Sequence, residues 1–103
     1  MEPALQINSV FRGAGWQIVK PLEPLAPSAL AEDLAQYAKG PMVVAFGYFD
    51  DGTGDRDSGE FRICAVRGQA WQTPVAALSL RDANMALDLL RQMPGLLGRL
   101  GHL

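Results

Sequence analysis

The sequence is poor in the residues that most enzyme and metal sites require. It contains one cysteine, Cys64, and one histidine, His102, among 103 residues. A single cysteine cannot form an internal disulfide, which favours a reducing, cytoplasmic setting. One cysteine and one histidine are also too few for the usual zinc site, and a hydrolytic triad would depend on a histidine near the end of the sequence. We therefore predict no catalytic residue, no metal and no cofactor.

Long uncharged segments and clusters of basic residues are missing as well. The longest stretch without a charge, residues 68–80, is shorter than the roughly 20 residues that cross a bilayer. No basic region followed by an apolar stretch marks a signal peptide at the N-terminus. The nine basic residues are scattered and the net charge is −2. We expect neither a membrane nor a nucleic acid as the partner.

The composition is that of a folded protein. Hydrophobic residues make up 49% of the sequence and charged residues 19%. A chain of this length supports one hydrophobic core, and we expect residues 1–103 to form a single domain.

The first half of the sequence predicts a hairpin and then a helix. Glycines at residues 12–15 separate two apolar segments, as in a β-hairpin turn, and three prolines within residues 20–27 predict an extended connector. Ser28 resembles an N-cap, and Gly40 with Pro41 resembles a helix end. The apolar residues of the predicted hairpin are Leu5, Ile7, Val10 and Phe11, then Trp16, Ile18 and Val19; those of the predicted helix are Leu30, Leu34, Tyr37 and Ala38.

The second half predicts a meander of strands and a second helix. Both sets of alternating residues in the segment 42–49 are apolar, so the strand is apolar on both faces, which is typical of a central strand. Residues 60–67 should pair with it antiparallel. A third strand is predicted over 71–77, at an edge or a bulge because of Pro74. Ser79 begins a capping-box pattern, and the following helix should end near Met93, before Pro94 and Gly95. Its predicted core residues are Leu80, Ala83, Leu87 and Leu90, and Phe46 and Leu87 should be among the most buried side chains of the chain.

These elements define an α+β fold. We predict a mostly antiparallel, twisted sheet of four or five strands with two main helices on one face. The strand–helix–strand passage through residues 16–49 leaves room for one parallel pair, and the strand order stays open.

An acidic segment between two predicted strands is the main electrostatic feature. Residues 50–60 carry a net charge of −4, and the rest of the chain carries +2. Alternating oxygen-bearing side chains resemble a calcium loop, but arginines occupy the positions where an EF-hand requires glycine and glutamate. We predict a solvated loop that is a candidate for binding a partner. Its acidic residues are Asp50, Asp51, Asp55, Asp57 and Glu60.

The end of the sequence is apolar and interrupted by glycines. Leu96, Leu97, Leu100 and Leu103 lie within eight residues, and a short helical turn packed on another surface is expected. Together with a bare face of the sheet, this segment would form a self-complementary patch for a homodimer. Leu97, Leu100 and Trp71 are therefore further candidate contact residues, because tryptophan is frequent at interface hot spots.

Two functional hypotheses follow. The first is a small, non-catalytic binding or regulatory protein, such as an adaptor, inhibitor or accessory subunit, that acts through a protein partner or self-association. The alternative is a small enzyme or ligand carrier with a pocket between sheet and helices, using a carboxylate such as Asp50 or Asp51. A large pocket would favour the alternative, and a flat apolar patch would favour the first hypothesis.

Overall fold

The computed structural model describes residues 2–25, 33–49, 59–68 and 74–101. Its elements follow in the order α1 (Pro3–Gly13), β1 (Gln17–Lys20), β2 (Ala35–Lys39), β3 (Met42–Phe49), β4 (Glu60–Arg67), β5 (Ala76–Leu80) and α2 (Ala83–Arg99). The strands form one sheet in chain order, and every neighbouring pair is antiparallel. The predicted α+β class is confirmed, whereas the parallel pair considered for residues 16–49 does not form.

The predicted first hairpin arm is wrong, because residues 3–13 form a helix. The Glu2 carboxylate caps α1 by accepting a hydrogen bond from the Ala4 N–H at 2.7 Å, and Pro3 occupies the first turn, where its missing N–H costs nothing. The helix ends at Gly13, and Gly15 beyond its C-cap has a φ of +89°, while the Trp16 N–H bonds to the Phe11 carbonyl at 2.9 Å. This is a glycine-terminated helix end rather than a hairpin turn. The second arm, β1, is present as predicted.

The helix predicted before Gly40 is also wrong where the structure describes the chain. Residues 35–39 form β2, whose burial alternates, and the Ser28 cap and Leu30 lie outside the described residues. Gly40 and Pro41 form the two-residue turn to β3, and Gly40 has a φ of +57°. Glycine supplies this positive φ at the first position of a type II′ hairpin turn. The same glycine–proline pair therefore ends a strand here, not a helix.

The central hairpin agrees with the sequence. β3 lies in the middle of the sheet and pairs with β4 over its whole length, from Met42 opposite Arg67 to Phe49 opposite Glu60. The predicted third strand is displaced along the chain, since β5 covers residues 76–80. β5 is an edge strand, as Pro74 suggested, and residues 71–73 lie outside the described part of the chain.

Helix α2 differs from its prediction at both ends. Ser79 lies in β5, so the capping-box assignment is wrong; the N-cap is Asp82, whose carboxylate accepts from the Met85 N–H at 2.8 Å. The helix passes through Pro94 and ends at Arg99, not near Met93. Proline in a helix interior destabilises the helix by about 3 kcal/mol, but burial of each large apolar side chain beyond it stabilises the fold by about 1.5–3 kcal/mol. Leu97 is such a side chain, since it is fully buried.

The core lies between one face of the sheet and the two helices. α1 packs on β1 and on α2, and α2 packs on β4 and β5. Phe11 stacks on Tyr37 with ring centroids 3.9 Å apart, and Trp16 meets Phe11 edge-on at 5.4 Å. Phe46 is buried as predicted, whereas Leu87 is only half-buried. The residues that α2 buries are Ala86, Leu90, Met93, Pro94 and Leu97.

The other face of the sheet is not covered by either helix. On this face β3 presents the half-buried Val43, Ala45 and Phe49 and the buried Gly47, and Val66 of β4, opposite Val43, is fully buried. The Arg62 guanidinium lies 4.4 Å from the centroid of the Phe49 ring. A strand that is apolar on both faces is expected to be buried on both sides, but on this face the β3 side chains Val43, Ala45 and Phe49 are only half-buried.

Candidate functional site

The free edge of β5 is the first component of a candidate interaction surface. In the described part of the chain, β5 pairs with β4 on one side and with no strand on the other. Its sequence, residues 76–80, contains neither a charge nor a proline, and Leu78 is 37% exposed. An exposed strand edge offers unpaired backbone donors and acceptors to another strand. β5 can therefore accept a further strand.

A stripe of apolar side chains along α2 is the second component. Four residues spaced by roughly whole turns fall within an arc of about 60° on the helix surface. Met85 is 61% exposed and the C-cap residue Leu100 is 65% exposed, while the two leucines between them are half-buried. We call these residues the apolar stripe: Met85, Leu89, Leu96 and Leu100.

The position of α1 determines where the apolar stripe points. Asn84, Leu87 and Arg91, on a different side of α2, line a groove against Pro3 and Ile7 of α1. The buried face of α2 separates this groove from the apolar stripe, so the stripe is on the side of α2 that faces away from α1. Because α1 packs on β1 and α2 packs on β4 and β5, that side of α2 is the one nearest the free edge of β5. We call β5 and the apolar stripe together the β5–α2 surface.

Three of the predicted contact residues, Glu60, Leu97 and Leu100, lie in the described part of the chain, and their environments differ. Leu100 belongs to the apolar stripe, but Leu97 is fully buried in the core of its own chain and presents no surface. Glu60 begins β4, and its carboxylate accepts a 2.8 Å hydrogen bond from Arg62. Trp71 and four of the five acidic residues lie outside the described residues: Asp50, Asp51, Asp55 and Asp57.

The patch proposed from the tail and the bare sheet face does not form. The tail residues up to Arg99 belong to α2, which covers the core face of the sheet, while the face that neither helix covers is on the opposite side. Of the two tryptophans, Trp16 is buried in the core and is not an interface anchor.

Cys64 lies on the uncovered sheet face, half-buried and opposite Ala77 of β5. Burial raises the pKa of its thiol. A raised pKa lowers the fraction of thiolate, which is the nucleophilic form, at neutral pH. The environment therefore makes Cys64 less reactive than a free cysteine.

Three cavities in the described part of the chain are small. One of about 210 Å³ lies between the connector after β1 and the start of β2, and two of about 190 and 200 Å³ lie between the helices. Pockets for small molecules usually span about 300–1,000 Å³. Within the described ranges, no group of three acidic, histidine or cysteine side chains is placed to hold a metal, and no helix is long and apolar enough to span a membrane.

Comparison of the chain with protein-family models, with curated proteins and with solved structures found no match.

The β5–α2 surface was missed from the sequence, although part of its signal is visible. The uncharged run 76–80 and the leucines near the chain's end are plain in the sequence. Met85 and Leu100 lie on the same side of one helix only because α2 continues through Pro94, and the sequence alone predicts that the helix ends before Pro94.

Proposed function

We propose that this chain is a non-catalytic binding or regulatory domain that acts through protein–protein contacts, and that the β5–α2 surface makes the contact. The observation that carries the proposal is the apolar stripe of α2 beside an uncharged strand edge. Three of the five exposed large apolar side chains of the described residues belong to this surface: Leu78, Met85 and Leu100.

Two physical contributions support binding at this surface. Pairing of a strand with β5 would satisfy backbone groups in register, which is a common mode of protein recognition. Burial of the apolar stripe would contribute roughly 25 cal/mol per Å² of apolar area removed from water. Backbone pairing gives direction to the contact, and apolar burial gives it affinity.

The enzyme or ligand-carrier alternative has less support. The three cavities described above are smaller than a typical ligand pocket, and the carboxylates proposed for acid–base chemistry, Asp50 and Asp51, lie outside the described residues. A cytoplasmic setting without nucleic acid or membrane is part of our proposal, because it follows from the single cysteine and the scattered basic residues.

Charge substitutions on the β5–α2 surface test the proposal. Leu78→Glu and Met85→Glu place a charge on the surface, while Leu5→Glu and Val19→Glu make the same change at residues that are 57% and 53% exposed elsewhere. Each tagged variant is used to capture proteins, including its own untagged chain, from cells that express the chain. Proteins bound by the wild type should be retained by the two controls.

Both surface variants should weaken that binding at least tenfold, which corresponds to about 1.4 kcal/mol. Thermal melting of each variant verifies that the fold is intact. Equal retention by all four variants, or equal loss from the two controls, would contradict an interaction at the β5–α2 surface.

A further inference from the structure

The two edges of the sheet are protected differently. At the β1 edge the register shifts between Ile18 and Lys20, and the half-exposed Lys20 side chain lies there with its ammonium ion-paired to Asp33. Bulges and lysines are devices that keep an edge strand from pairing with another chain. β5 has neither device within residues 76–80, and its described ladder to β4 is regular. Of the two edges, β5 is therefore the one suited to pairing.

From this contrast we infer that the β5–α2 surface binds a second copy of the same chain, with the two β5 strands paired antiparallel about a two-fold axis beside Leu78. The inference rests on the proposed function and names its partner. A two-fold axis perpendicular to the sheet requires antiparallel pairing of identical strands. The result is a continuous sheet of ten strands.

The side chains of β5 fit this pairing. With the axis beside Leu78, that residue lies opposite Leu78 of the second copy, Ala76 lies opposite Leu80, and Ala77 lies opposite Ser79. All are small or apolar, so no like charges meet across the strands, where they would be destabilising.

The same axis covers the apolar stripe. Only Arg81 and Asp82 connect β5 to α2, so the helix stays above the edge that pairs. The rotation brings the two α2 helices together antiparallel, in the same layer and with their dipoles opposed. A lone peptide strand would cover β5 and leave Met85 and Leu100 in water. A second copy covers both components.

The available area is sufficient for a specific dimer. The molecule is 20 Å thick along its shortest axis. A 17-residue helix is about 25 Å long, so the side presents on the order of 500 Å² per copy. The total of about 1,000 Å² lies at the lower limit for a specific interface, whereas a five-residue strand alone falls well below it.

Opposite charges at residue 78 test the axis directly. Sedimentation velocity of the wild type at micromolar concentration should give twice the 11.1 kDa mass of one chain. Leu78→Glu and Leu78→Lys should each be monomeric under the same conditions, because like charges then face each other across the axis. An equimolar mixture of the two variants should recover the dimer. Leu5→Glu and Leu5→Lys are the matched controls and should leave the mass unchanged.

A milder substitution keeps the test decisive if a charge at residue 78 unfolds the chain. A nitroxide label on Leu78→Cys, in a Cys64→Ser background, should show dipolar broadening between copies, and a label on Leu5→Cys should not. A monomeric wild type, a dimer that survives both Leu78 charge variants, or a mixture that stays monomeric would each overturn the inference. The proposed function would fail separately, if Leu78→Glu and Met85→Glu left the capture of every other protein and of the chain itself unchanged.

Discussion

The phenol of Tyr37 on β2 donates a buried hydrogen bond of 2.6 Å to Oδ1 of Asn8 on α1. The same oxygen accepts from the Leu22 N–H at 3.0 Å, and Nδ2 of Asn8 donates to the Leu22 carbonyl at 2.9 Å. One side-chain amide therefore joins the first helix, the connector after β1 and the second strand. Buried polar groups that satisfy each other in this way fix relative positions that apolar packing alone leaves adjustable.

Replacing Asn8 should destabilise the fold strongly. Asn8→Ala removes the three hydrogen bonds that join the Leu22 N–H, the Leu22 carbonyl and the Tyr37 hydroxyl to this buried side chain, and we expect a loss of about 2–4 kcal/mol in the free energy of unfolding. Urea denaturation measures this loss. Tyr37→Phe is the control, because it removes the hydroxyl alone and should cost about 1 kcal/mol. If Asn8→Ala costs no more than Tyr37→Phe, the amide does not join the three elements.

Tyr37 should make the stability fall at alkaline pH. Desolvation by burial raises the pKa of Tyr37 to about 12, and a hydrogen bond with the Leu22 backbone offsets part of this rise. Above the ordinary tyrosine pKa of about 10 the unfolded chain loses the proton while the folded chain keeps it, so stability is full below about pH 10 and declines up to about pH 12. By about pH 11.5 the loss should reach about 2 kcal/mol.

Comparison of the wild type with Tyr37→Phe isolates the contribution of Tyr37 to the loss of stability at alkaline pH. Urea denaturation of the wild type and of Tyr37→Phe is measured across the alkaline range, and the decline assigned to Tyr37 is the difference between them. Parallel pH profiles for the two chains would show that the Tyr37 hydroxyl does not cause the decline.

The sequence predicts the sheet better than the helices, and the reason lies in two glycines. The central hairpin is readable because β3 and β4 are long, apolar and separated by a loop-forming segment. Gly15 and Gly40 each have a positive φ, but a positive φ ends a helix as readily as it turns a hairpin. The choice between them depends on long-range packing, such as the stacking of Phe11 on Tyr37, and local sequence does not contain it.

The start of the sequence also contains a signal for α1, which the glycines of the predicted hairpin turn outweighed. Glu2 and Pro3 form a helix start, and the buried residues have helical spacing: Ala4, Ile7, Asn8 and Phe11. Part of the candidate site was predictable in the same sense, since Leu100 was singled out from the sequence. Leu97 was singled out with it, because sequence spacing does not separate the buried side of a helix from the exposed side until the helix's full length is known.

Cys64 should react slowly with thiol reagents. Its half-buried site raises the thiol pKa, so the thiolate fraction near neutral pH is reduced. We expect alkylation by iodoacetamide at about pH 7.5 to be slower in the folded chain than in urea. Mass spectrometry of quenched samples gives both rates. A folded-state rate that equals or exceeds the rate in urea would mean that the site activates the thiol.

Truncation of two leucines at the end of α2 should change the stability by very different amounts. Leu97 is fully buried, so Leu97→Ala removes core packing and should cost about 2–5 kcal/mol in the free energy of unfolding. Leu100 is 65% exposed, and Leu100→Ala should change the stability of the isolated chain by less than about 0.5 kcal/mol. Urea denaturation is measured at low protein concentration, so that any dimer contributes little. Equal effects of the two substitutions would show that the last turn of α2, beyond Pro94, does not pack into the core.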